Sequence, residues 1–198
     1  MEKVILYKSH VIVPEVDLAE KSLKYRDFLT YFTIRSYLNN QTSKCFPEIR
    51  TIVKRSGLSF KYVSDSIDRL KTAGYITVTT VKVNYYKFKA LENFSFIPLS
   101  ILDEDDLSIE EKAMLIRIRQ YFYEPSFQSP YSCKEIAKLI GLSYETLSKY
   151  YKSLIRKGYI RAILGSKTNL FIELTNKFDW RVSEEQKTEE VQRELFVK

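Results

Sequence analysis

Two groups of side chains in this 198-residue sequence are typed and spaced for polar chemistry in concert. One group is Ser143, Glu145, Thr146, Lys149, Lys152 and Arg156, and the other is Ser59, Lys61, Tyr62, Asp65, Asp68 and Arg69. Steps of three and four residues place such groups along one side of a helix. Lys and Arg on an exposed helix face pair with phosphate oxygens or guanine edges, and Glu or Asp accepts from cytosine. A serine at a helix start either caps free backbone N–H groups or shares that N-terminus with a phosphate. Lys82 and Lys167 lie near the tips of two expected hairpins, within reach of a nucleic-acid backbone. The chemistry is recognition of a polyanion.

Covalent and metal chemistry find little support. His10 is the only histidine, so neither a metal set nor a nucleophile relay can be assembled around it. The chain has five glycines, and none falls in a GxxxxGKS or GxGxxG phosphate loop. Cys45 and Cys133 have neither CxxC nor Cys/His ligand spacing and read as reduced structural thiols. The acidic run Asp103–Asp106 reads as complementing the positive end of a following helix rather than as a metal site. The 15 tyrosines follow helix and strand spacing without clustered His or Arg. The expectation is no catalysis, no cofactor and no metal.

The elements that must position the polar groups occur twice. Gly57-Leu58-Ser59 returns eighty-four residues later as Gly141-Leu142-Ser143, and Gly74-Tyr75-Ile76 as Gly158-Tyr159-Ile160. Val13-Pro14 is matched by Ile97-Pro98, and Ile34, Arg35 and Tyr37 by Ile118, Arg119 and Tyr121. No gap is required, so 13–90 and 97–174 read as one unit used twice. Each unit predicts a long helix (about 23–39, and from Ser108), a short helix (near 47–56 and 132–140) and a third helix to about 73 and 157. Two strands follow in each, 75–80 with 85–91 and 159–164 with 170–174. Apolar residues line the third helices at Val63, Ile67 and Leu70 and at Leu147, Tyr151 and Leu154. This is a mainly α fold with small β-wings (α+β): two tandem winged helix-turn-helix domains, one within residues 1–94 and one within 95–178. Residues 179–198 form an acidic tail. There Ser183-Glu184-Glu185-Gln186 is a capping box for a helix that docks back or serves a homodimer or partner protein.

Charge follows the repeat. Residues 44–90 hold ten basic against three acidic side chains and 130–178 nine against three, while the whole chain carries +7. Base concentrated on the duplicated units is the footprint of nucleic-acid binding. No apolar run approaches a membrane span and no signal peptide is evident, so a cytoplasmic location without membrane contact is expected.

The stretch from Tyr31 through Cys45-Phe46-Pro47 to Gly57-Leu58-Ser59 and Gly74-Tyr75-Ile76 resembles the winged helix-turn-helix domains of bacterial and phage replication proteins and regulators. The resemblance extends over most of 13–174. It implies DNA binding, with basic residues early in the third helix; Lys149 supplies this in the second unit, whereas Lys61 is followed by Asp65 in the first. The partner implied is double-stranded DNA and the role a transcriptional regulator. The alternative is an initiator or organiser of plasmid or phage replication, and a third reading is a protein-interaction scaffold.

Overall fold

The computed structural model describes residues 9–16, 22–164 and 170–196. In chain order these form β1 (His10–Pro14), α1 (Tyr25–Ser36), α2 (Ile49–Ser56), α3 (Phe60–Thr72), β2 (Ile76–Thr80), β3 (Asn84–Phe88) and β4 (Phe94–Pro98). There follow α4 (Ile109–Ile118), α5 (Cys133–Leu139), α6 (Tyr144–Arg156), β5 (Ile160–Leu164), β6 (Phe171–Leu174) and α7 (Glu184–Phe196). Short 3-10 turns, Leu99–Asp103 and Arg119–Tyr121, flank α4. The class is α+β, as the residue pattern predicts. Equivalent elements begin at 25 and 109, 49 and 133, 60 and 144, and 76 and 160, a constant offset of eighty-four. Even the backbone exceptions keep it: Ser43 and Phe127 both have φ 53°.

The long helices are shorter than the sequence suggests, because their ends pass into turns rather than continuing. α1 stops at Ser36, and α4 at Ile118 before its 3-10 extension. Pro47, expected inside the first turn of α2, precedes it, with Glu48 at the cap. Gly57 closes α2 in the left-handed conformation (φ 74°), which a side chain would strain. A methyl group on Gly57 would also sit 3.0 Å from the Ile109 side chain, so the turn is held tight against α4.

α1 and α4 are buried on nearly every face and pack on each other. One apolar core runs through both units, from Phe28, Phe32 and Ile34 to Met114, Ile118 and Leu154. The junction between 94 and 95 falls at the start of β4, and β4 pairs antiparallel with β1. Ile12 lies opposite Phe96, its own repeat counterpart. The register is symmetric about this pair, with Val11 opposite Ile97 and Val13 opposite Ser95. Gln120 seals the same junction, accepting the Val16 N–H at 2.8 Å and donating to the Val16 carbonyl at 3.3 Å. β2–β3 and β5–β6 are separate two-stranded hairpins.

The tail crosses between the units. Phe178 and Trp180 pack on the second unit, with Phe178 stacked on Tyr159 at 5.3 Å. α7 then opens on the expected Ser183/Gln186 capping box and reaches the first unit. There Glu194, buried, pairs with the buried Arg35 and accepts the Leu91 N–H at 2.8 Å. The docked arrangement of the tail is thus the one present.

Candidate nucleic-acid interface

The third helices inherit their orientation from one carboxylate each, at the same place in α1 and α4. Asp27 is fully buried and accepts the Lys24 N–H at 2.8 Å, closing the first turn of α1. It also receives Arg69 through Nε at 2.8 Å and Nη2 at 2.7 Å, and the Tyr62 hydroxyl at 3.0 Å. Both donors come from α3, so Asp27 fixes α3 against α1 with charge-assisted bonds. Burial and the Asp27 charge raise the Tyr62 hydroxyl pKa, which keeps it a donor.

Glu111 does the equivalent work in the second unit. It accepts the Ser108 N–H at 2.8 Å within a capping box and receives Lys157 Nζ at 2.8 Å from just beyond α6. Burial alone would raise this carboxyl, but hydrogen bonds from Lys157, Ser153 and Ser108 outweigh it and hold it at about 2.

These ties decide which expected contact residues face outward. In the first unit Lys61 is exposed, while Arg69 and Tyr62 are half-buried and engaged with Asp27. The guanidinium groups of Arg26 and Arg69 lie over the Tyr62 ring, at 5.6 and 5.2 Å from its centre. Asp65 and Asp68 are exposed on the same helix, and Lys71 sits 3.3 Å from Asp68. Lys82 is exposed in the turn between β2 and β3. In the second unit Glu145, Lys149, Lys152 and Arg156 are exposed, opposite the buried stripe Leu147, Tyr151 and Leu154. Thr146 is half-buried. Ser59 and Ser143 are exposed caps, accepting the Tyr62 and Thr146 N–H groups at 3.2 Å each. Lys167 lies outside the described residues.

The two modules meet at a polar seam. Tyr25 and Tyr150 approach with hydroxyls 3.4 Å apart, and Arg26 faces Glu110, its repeat counterpart, at 3.3 Å. Arg55 grips Asp103 with two nitrogens, so the first acid of the 103–106 run ties α2 to the segment before α4. Among the described residues no group of three His, Cys, Asp or Glu could hold a metal ion, and no helix is long and apolar enough to cross a membrane.

The positioning role of Asp27 escapes the sequence reading. The bond from Lys157 to Glu111 joins residues 46 apart, beyond any local pattern.

Over residues 21–76, which include α1, α2 and α3, the chain matches a family model described as a helix-turn-helix domain. No curated protein matches the chain. The first unit is thus similar to helix-turn-helix domains, and DNA binding is the class of function that this similarity supports.

Proposed function

We propose that this protein is a non-catalytic, sequence-specific binder of double-stranded DNA, built from two winged helix-turn-helix units, and that it acts as a transcriptional regulator. The observation that carries the reading is α6. It exposes Lys149, Lys152 and Arg156 on one side while Leu147, Tyr151 and Leu154 anchor the other in the core. A helix of this kind fits the major groove, and its first turns bring side chains to base edges. Lys149 and Glu145, one turn apart on the exposed side near the start of α6, are the base-reading pair; Lys152 and Arg156 pair with phosphates. The first unit positions the protein through Lys61 and the hairpin near Lys82, with less reading, because Asp65 and Asp68 face a polyanion unfavourably.

Genome-wide mapping of bound DNA, combined with salt titration, tests this. Several neutralised phosphates require a log–log salt slope on the order of −4 to −8. Sites at promoters support a regulator, and one origin with iterated repeats supports a replication initiator instead. Binding that ignores salt over about 50 to 200 mM overturns the DNA reading.

A further inference from the structure

Most exposed cations of one unit have no basic counterpart in the other. Lys61 corresponds to Glu145, Lys149 to Asp65, Lys152 to Asp68 and Arg156 to Thr72. Among the described residues, the exposed cations that both units keep are Arg50 with its counterpart Lys134, and Lys54 with Lys138. Each pair lies on one helix, α2 or α5, at a spacing of four residues, and so on one face. None of the four forms an ion pair with a described carboxylate.

Helix stability does not account for them. Lys54 and Lys138 suit the negative C-terminal ends of α2 and α5, but Arg50 and Lys134 are the second residues of these helices. A cation there opposes the helix dipole. The same disfavoured placement, made twice, calls for a partner outside the chain.

We infer that α2 and α5 each carry a two-cation clamp for DNA phosphates, Arg50 with Lys54 and Lys134 with Lys138. The inference rests on the DNA-binding reading and extends it. The clamps hold equivalent phosphates in both half-sites, while α3 and α6, which differ, engage the DNA between them differently. The ligand chemistry is the duplex backbone, without regard to base sequence.

The test uses the full chain with R50Q/K54Q or K134Q/K138Q, titrated on a selected site and on random duplex between about 50 and 200 mM salt. Each pair of substitutions should lower the magnitude of the salt slope by about 2, in keeping with roughly 0.9 per phosphate contact. Affinity should fall by the same factor on both duplexes, leaving discrimination and thermal unfolding unchanged. An unchanged slope beside normal wild-type binding overturns the clamp alone. A loss confined to the selected site makes these residues base readers and also overturns it. A wild-type protein that binds neither duplex overturns the DNA reading, and the clamp with it.

Discussion

Arg35 and Arg119 stand at equivalent places and are almost equally buried, yet their surroundings differ. Arg35 lies against the Phe88 ring at 4.9 Å, donates to the Tyr31 hydroxyl at 2.7 Å and pairs with Glu194 of α7. Arg119 lies against Phe127 at 4.9 Å and donates to the Phe122 carbonyl at 2.8 Å. Burial lowers the Arg119 pKa to about 10. Burial also acts against Arg35, but Tyr31 and Glu194 outweigh it, and its pKa is raised. The same sequence position thus pairs with a buried carboxylate of α7 in one unit and meets the Trp180 ring of the tail, at 6.0 Å, in the other. The third helices diverge likewise: α3 gives Arg69 and Tyr62 to the fold, whereas α6 leaves its cations outside.

The largest expected effect separates the two arginines. Arg35→Met leaves Glu194 buried without its cation, and losing one partner of a buried pair costs about 3–5 kcal/mol. Arg119→Met strands no ion-paired carboxylate and removes one buried hydrogen bond, to the Phe122 carbonyl, so it should cost less, about 1–3 kcal/mol. Denaturant unfolding of both variants checks this; equal losses would erase the distinction.

The next comparison concerns Glu111 and pH. Its carboxyl is held at about 2 in the fold, below the ordinary 4.5, so it adds stability above about pH 4.5. That contribution fades as pH falls from about 4.5 towards 2. Glu111→Gln should therefore destabilise by about 1.5–3 kcal/mol at neutral pH, the range for a charged hydrogen bond. The penalty should shrink steadily in unfolding curves taken down that window. A pH-independent penalty would show that shape, not charge, matters at this site.

What could be read from sequence was local. Ser108, Ser132 and Ser143 stand at helix starts and Gly57 at a helix end, because caps and left-handed turns depend on residues one to four apart. The buried stripes Val63/Ile67/Leu70 and Leu147/Tyr151/Leu154 follow from helical periodicity. The Ile12–Phe96 pairing of β1 with β4, the Asp27–Arg69 tie and the Arg35–Glu194 bond join residues 84, 42 and 159 apart. Such pairings leave no periodic trace. Arg69 therefore reads from sequence as a free contact residue, although Asp27 holds it in the fold.

In binding, the expected asymmetry favours α6. Lys149→Ala should cost about 1–3 kcal/mol on the selected site and relax preference at one base position, as loss of a base contact does. Asp65→Ala, at the equivalent place on α3, should leave affinity equal or tighter, because it removes a carboxylate from the DNA-facing side. Fluorescence titration of both variants on selected and random duplex makes the comparison. If Asp65→Ala abolishes discrimination while Lys149→Ala changes nothing, the two units have opposite roles.

The smallest effect concerns the hairpin of the first unit, where attraction and repulsion lie side by side. Lys82 is exposed at its turn. A cavity of about 840 Å³ separates its strands, through Thr77, Thr79 and Lys87, from Glu189 and Glu190 of α7. DNA following the hairpin would meet Lys82 as a phosphate contact and the acidic helix as a repulsive flank. Lys82→Ala should therefore weaken selected and random duplex alike and lower the salt-slope magnitude by about 0.9, one phosphate's worth. Glu189→Gln should act in the opposite sense, with a slight gain that disappears at high salt as screening sets in. Glu189 also lies 3.2 Å from Arg193, one turn along α7, and an exposed helix pair of this kind is worth only about 0.3–0.5 kcal/mol, so its loss should leave the fold intact. If Glu189→Gln changes binding no more than a mock substitution does, the hairpin side of the first unit lies away from the duplex. A loss with Lys82→Ala on the selected site alone would instead make the hairpin a reader of sequence.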